Sequence, residues 1–211
     1  MTRAKICGIT RPEDAELAAE LGAWAIGLIR WEGSPRACDA GTAAAIVHAL
    51  RRRVACVGVF VNPTLDELAH EADDAGYTHL QLHGDEGPAF CTEAARRTGC
   101  RIIKAARVAT AGDVRSLEAF HTDFHMLDTA AVGLRGGSGR TWEWGLLEAR
   151  RSAVPLILSG GLNPDNVGEA ITAARPWAVD AASGTEREPG VKDPEKVRRF
   201  LEAAAGAPAP A

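Results

Sequence analysis

The chain has 211 residues, 46% hydrophobic and 25% charged, with a net charge of −4. That length fits one compact domain with a sizeable core, and the acidic balance excludes the global positive field of a nucleic-acid binder. No apolar run approaches the ~20 residues that span a bilayer, and the stretch behind Met1 is too short for a signal-peptide core, so a cytoplasmic protein with neither membrane nor nucleic-acid partners is expected.

Short apolar runs alternate with amphipathic segments along the chain. Strands are expected at residues 4–6, 25–29, 54–61 and 79–82, then at 101–105, 124–127, 155–159 and 178–181. They are short and often rich in Val, Ile and Leu, as strands covered on both faces should be. The first helix opens at Thr10-Arg11-Pro12-Glu13 and is closed by Gly22, with proline in its first turn. Asn62-Pro63-Thr64 opens the helix that ends near Gly76, Asn163-Pro164-Asp165 the one after strand seven, and Asp193-Pro194-Glu195 the last. Further helices fit residues 41–50, 88–98, 111–119 and 142–150. Eight strands each followed by a helix define a single α/β (β/α)₈ TIM barrel. It is expected over residues 1–205, with 206–211 as a frayed tail rich in Ala and Pro.

The five cysteines, Cys7, Cys38, Cys56, Cys91 and Cys100, are odd in number and show no Cys-x-x-Cys spacing. Neither a disulfide framework nor a metal site is suggested. Polar residues in strands buried on both faces need a reason, and here they are Lys5, Gln81, His83, Lys104, Asp128 and Asp180. Alternation puts Lys5 with Cys7, and Gln81 with His83, on one face each. A buried charge must be paired or sit near solvent. The economical arrangement turns these groups into the barrel, with Lys5 and Lys104 deep and Cys7, His83, Asp128 and Asp180 near the C-terminal rim, where barrel active sites lie. An internal ion network that only fixes packing is the plainer alternative, and His83 fits either a satisfied rim histidine or a functional one.

Strand seven runs into Ser159-Gly160-Gly161-Leu162 and strand eight into Ala182-Ser183-Gly184-Thr185. Barrels often hold phosphate with these two loops and a helix N-terminus, so a phosphorylated small molecule is the expected partner. Gly136-Gly137-Ser138-Gly139, after strand six, fits either a mobile lid or a third phosphate cradle, and it lacks the Gly-Lys-Ser/Thr of a Walker loop.

Taken in order, Lys5-Ile6-Cys7-Gly8-Ile9-Thr10, Ser34-Pro35-Arg36, residues 57–62, Gln81-Leu82-His83-Gly84-Asp85-Glu86, Leu127-Asp128, Gly136-Gly137-Ser138-Gly139, residues 159–164 and residues 179–193 resemble the phosphoribosylanthranilate isomerase family over nearly the whole chain. The resemblance implies an Amadori rearrangement of an aminoaldose phosphate to an aminoketose phosphate, in tryptophan biosynthesis, with no metal or cofactor. It implies Cys7 as base, Asp128 as acid, Arg36 on the anthranilate carboxylate and Asp180 in the substrate pocket; His83, from its place at the rim, is taken as a further substrate-binding candidate. Gly160, Gly161, Ser183 and Gly184 would hold the phosphate. The residue types suit the chemistry: a carboxyl group at a desolvated rim can carry a proton to a ring oxygen, and a thiolate can take the C2′ proton if a cation such as Lys5 lowers its pKa. Arginine presents two parallel N–H groups to a carboxylate.

The chain departs from the family pattern in three places. Arg30-Trp31-Glu32-Gly33 replaces an apolar aromatic segment and is expected to alter the pocket mouth. Ala182 stands where a serine is common, and Ser138 and Arg140 where threonine and lysine are common. Competing readings are an isomerase for a substituted anthranilate or for an aminoimidazole ribonucleotide, and a non-catalytic barrel that binds a phosphorylated ligand. The aminoimidazole family resembles an Asp/Asp pair, against Cys7. No long apolar stripe decides between a monomer and a homodimer.

Overall fold

The computed structural model describes residues 1–128 and 144–207. Eight parallel strands close into a barrel: β1 (Arg3–Cys7), β2 (Ala25–Ile29), β3 (Ala55–Phe60), β4 (His79–Leu82), β5 (Arg101–Arg107), β6 (Phe124–Asp128), β7 (Leu156–Ser159) and β8 (Ala178–Ala181). Strand β8 pairs back onto β1, with Lys5 beside Asp180. Helices α1 (Pro12–Glu20), α2 (Ala40–Leu50), α3 (Leu65–Ala75), α4 (Pro88–Thr98), α5 (Ala111–Ser116), α6 (Val167–Ala174) and α7 (Pro194–Gly206) fill the connections. Among the described residues no helix is long and apolar enough to cross a membrane.

Local chemistry sets the helix starts. Thr64 and Glu67 form a reciprocal capping box at α3, as Thr110 and Asp113 do at α5; each satisfies amides that lack an intrahelical partner. Asp193 caps α7 by accepting from the amides of Glu195 and Lys196. Helix α6 begins later than Asn163-Pro164-Asp165 predicts. The Asn163 side chain first accepts from the amides of Asp165 and Asn166, and helical geometry starts at Val167. Asparagine offers its own backbone this alternative to the helix. Of the helix expected over residues 142–150, the part among the described residues forms a 3₁₀ helix at Trp144–Ala149. Six residues that include a glycine give too few helical hydrogen bonds to repay nucleation.

Two apolar layers result. The outer one packs Ile6, Leu28, Leu80, Leu158 and Val179 against Val47, Leu68, Ile171 and Phe200 of the helices. The inner one fills the barrel with Ala25, Val57, Ile103, Met126, Ile157 and Ala178. At the N-terminal end Trp24, His79, Phe124 and Trp177 plug the barrel with ring centroids 4.8–5.9 Å apart. Each large apolar side chain so enclosed contributes roughly 1.5–3 kcal/mol.

Beyond β8 the chain makes a feature that the strand pattern does not predict. Ser183–Thr185 forms a single 3₁₀ turn, and β9 (Glu186–Glu188) and β10 (Val191–Lys192) form an antiparallel hairpin across the rim.

Candidate active site

Alternation from the inner apolar layer turns Lys5, Cys7, Gln81, His83, Asp128, Ser159 and Asp180 toward the barrel axis. Lys104 is the exception to the sequence expectation. Its neighbours Ile103 and Ala105 face inward, so Lys104 points out to the helix layer. There its ammonium lies 2.8 Å from Glu86 Oε2 and donates to the Gly84 carbonyl at 2.6 Å. It is a buried structural pair that anchors the loop after β4, where Glu86 also accepts from the amides of Asn62 and Gly84.

Cys7 ends β1 and is 6% exposed. Lys5 lies two residues below it on the same face, and both crowd Gly27 of β2. A Cβ there would come 2.7 Å from the Cys7 sulfur and 2.9 Å from the Lys5 nitrogen, which explains glycine at that position. Lys5 Nζ is 2.8 Å from Asp180 Oδ1, and Ser159 Oγ donates to Asp180 Oδ2 at 3.1 Å. Burial by itself would lower the Lys5 pKa, but Asp180 and Cys7 outweigh it and hold the ammonium above its ordinary range. The expected lowering of the Cys7 pKa is not found. Burial raises it, Lys5 opposes this, Asp180 adds to it, and the thiol ends above its ordinary value. With Lys5 already neutralised by Asp180, its pull on the sulfur is too small to overcome desolvation. The resting thiol is therefore protonated.

Asp128 ends β6, and its Oδ2 lies 3.2 Å from His83 Nε2 at the end of β4, both partly exposed; the ring N–H is not aligned for a hydrogen bond. His83 Nδ1 lies 3.3 Å from the Gln81 side-chain nitrogen. Strand β6 stands three strands from β1 around the barrel, so Cys7 and Asp128 end different walls of the C-terminal mouth.

The two phosphate-candidate loops meet. Gly160 and Gly161 both have positive φ, 99° and 66°. A Cβ on Gly184 would run into the Leu162 carbonyl oxygen, so the loop after β8 packs directly on the loop after β7. Ser183 and Gly161 are exposed on this surface. Gly136-Gly137-Ser138-Gly139 lies outside the described residues.

Arg36 sits in the loop after β2, which is pinned back on the strand by the Cys38 amide donating to Ile29 O. Its side chain crosses over Gly8 and is held by Glu186. Sequence reasoning missed Glu186 and Lys192, a buried pair 3.1 Å apart in the β9–β10 hairpin. Of the Arg30–Gly33 segment, Arg30 reaches the α3 residue Glu71 at 2.7 Å, and Trp31 and Glu32 line a cleft with Asn62 and Pro63 of the loop after β3. An even-numbered residue of β2 and its extension faces outward, as Lys104 does.

Residues 4–203 match the family model described as N-(5′-phosphoribosyl)anthranilate (PRA) isomerase. An N-(5′-phosphoribosyl)anthranilate isomerase of Acidithiobacillus ferrooxidans is 46% identical over 203 residues, covering 95% of this chain and 96% of that one. The crystal structure of phosphoribosyl anthranilate isomerase from Thermotoga maritima is 39% identical and superposes with a TM-score of 0.86, covering 98% of this chain and all of that one. A further solved phosphoribosyl anthranilate isomerase, in complex with reduced 1-(o-carboxyphenylamino)-1-deoxyribulose 5-phosphate, is 37% identical with a TM-score of 0.83, covering 98% of this chain and all of that one.

Proposed function

The chain belongs to the N-(5′-phosphoribosyl)anthranilate isomerase family of tryptophan biosynthesis, and we propose that Cys7 and Asp128 carry the two proton transfers of its Amadori rearrangement. The reaction converts N-(5-phosphoribosyl)anthranilate to 1-(2-carboxyphenylamino)-1-deoxyribulose 5-phosphate. The observation that supports the assignment is one thiol and one carboxyl group, both turned inward, at the C-terminal ends of strands three apart around the barrel.

Asp128 gives its proton to the ring oxygen, the C1′–O bond breaks, and the nitrogen lone pair forms a cationic imine at C1′. Cys7, as thiolate, removes the C2′ proton, and the electron pair neutralises the imine. The resulting enolamine takes a proton at C1′ and gives up the C2′ hydroxyl proton to become the ketone. Each transfer is worth ~10²–10⁴-fold. Because burial keeps the Cys7 thiol protonated at rest, the reactive form is the minor thiolate fraction. A cationic imine beside the sulfur favours that form at the step that uses it.

Around this pair, His83 stands 3.2 Å from the Asp128 carboxylate and lines the substrate pocket. Asp180 holds Lys5 and Ser159 with its two oxygens, so its part is to shape the pocket floor. Arg36 takes the anthranilate carboxylate, and Gly160, Gly161, Ser183 and Gly184 take the phosphate with backbone amides and one hydroxyl. The loops' mutual packing supports one shared cradle. The chain acts in the cytoplasm on this reading. A homodimer is the assembly we favour, supported by the dimeric Thermotoga maritima relative, and sedimentation of the pure protein tests it.

A crystal of the complex with the reduced aminoketose phosphate tests the residue roles. Phosphate at Gly161 and Ser183, with the carboxylate at Arg36, is the expected density. Phosphate bound elsewhere on the rim would overturn the assignment.

A further inference from the structure

We propose that Glu186, neutralised by Lys192, is a positioning residue for Arg36, holding its guanidinium over Gly8 with one edge left for a substrate carboxylate. This rests on the reading of Arg36 as the carboxylate-binding group. Arg36 lies in a loop and is partly exposed, and a long side chain there would sample many rotamers. Glu186 removes that freedom. Arg36 Nε lies 2.9 and 3.0 Å from the two Glu186 oxygens, and Nη2 donates to Oε2 at 2.9 Å. These bonds use the Nε–Nη2 edge. A guanidinium has five N–H donors, and among the described residues nothing engages Nη1. The Nη1–Nη2 edge can therefore grip a second carboxylate while Glu186 keeps the first.

Charge explains Lys192. An Arg–Glu pair alone is neutral and has little attraction for an incoming anion. Lys192 Nζ, fully buried, lies 3.1 Å from Glu186 Oε1 and donates to the Ala182 carbonyl at 3.1 Å. Burial lowers the Lys192 pKa and Glu186 opposes this; with the ammonium protonated the three groups carry +1, so Arg36 keeps its pull on a carboxylate. Burial by itself would raise the Glu186 pKa, but Arg36 and Lys192 outweigh it and keep the carboxylate ionised. The hairpin that carries both residues is fastened to its surroundings. Thr10 Oγ1 donates to Gly190 O at 2.5 Å, the Lys192 amide donates to Asp14 at 3.0 Å, and Lys196 Nζ donates to Glu186 O at 2.8 Å. A buried ion pair is by itself a poor source of stability compared with an apolar pair of the same shape, so holding Arg36 is the role that accounts for this one.

A double-mutant cycle reads the coupling. Glu186→Gln should raise KM about 10-fold or more, as loss of a charge-assisted bidentate contact does, with kcat within about 3-fold. In an Arg36→Ala background the same change should move KM by less than about 2-fold. Equal effects in both backgrounds, or a loss of kcat and melting temperature at constant KM, would overturn the proposal. Glu186→Gln leaves Lys192 buried without its partner and endangers folding, so Glu186→Gln/Lys192→Met is the companion variant. It should fold and keep the raised KM; a wild-type KM in that variant would also overturn it. A wild type inactive on phosphoribosylanthranilate sinks the functional reading, whereas an active wild type with an additive cycle sinks only this inference.

Discussion

Lys5 and Asp180 form an ion pair 2.8 Å long on adjacent strands, enclosed directly below Cys7. The pair closes the barrel floor under the reacting thiol and neutralises Lys5, the larger of the two cationic influences on it, Lys192 being the smaller. Removing one partner leaves an uncompensated buried charge. Asp180→Asn should therefore lower unfolding free energy by about 3–5 kcal/mol, measured by urea denaturation. Replacing both residues by apolar ones, as in Lys5→Met/Asp180→Leu, should recover most of that loss. If the single variant is as stable as wild type, Lys5 is not held as described.

The same arrangement fixes the reactivity of Cys7. Burial holds its thiol above the ordinary value, about 8.5 for a free cysteine. Alkylation by iodoacetamide, located by peptide mass, should have its midpoint above that value, and kcat/KM should rise with pH into the alkaline range. A midpoint near 7 would mean that Lys5 activates the thiol after all.

How much of this was legible in the sequence differs by layer. The barrel, its eight strands and the inward Cys7, Asp128 and Asp180 follow from apolar runs and polar residues at strand ends. The direction of Lys104 does not, because a parallel strand is apolar on both faces and hydrophobicity cannot separate axis from helix layer. Only the parity of Ile103 and Ala105 could have placed it. The β9–β10 hairpin carries one signal, Pro189-Gly190 between short segments, but strands of three and two residues show no period. Glu186 and Lys192 are buried by contacts distant in sequence, beside exposed Arg187 and Glu188, so no local pattern marks them.

His79 gives the fold an acid-side sensitivity. It belongs to the aromatic plug, and burial, with Arg101 adding to it, lowers its pKa from 6.5 to about 4. Between those values the unfolded chain binds a proton that the folded chain does not, so stability falls as pH drops through that window. The slope from this group is up to about 1.4 kcal/mol per pH unit. Denaturation of His79→Leu at several pH values should show a shallower decline than wild type between pH 6.5 and 4; parallel curves would remove His79 from the account.

Gly184→Ala should push the loops after β7 and β8 apart, because the new methyl group meets the Leu162 carbonyl. Competitive inhibition by inorganic phosphate should weaken about 10-fold or more, the loss of one or two amide contacts to an anion. Ser183→Ala, which removes only a hydroxyl, should weaken it less. Unchanged inhibition in Gly184→Ala would place the phosphate elsewhere.

The central claim is that Cys7 and Asp128 transfer the two protons across the mouth of the barrel. It is tested most directly by the loss of phosphoribosylanthranilate fluorescence, with the substrate generated in place from anthranilate and phosphoribosyl pyrophosphate by a transferase. Wild type, Cys7→Ala and Asp128→Asn are compared side by side. The account predicts turnover by the wild type and a fall of ~10²–10⁴-fold or more in kcat for each variant, with fold intact. A folded Cys7→Ala or Asp128→Asn protein within 10-fold of wild type would contradict it.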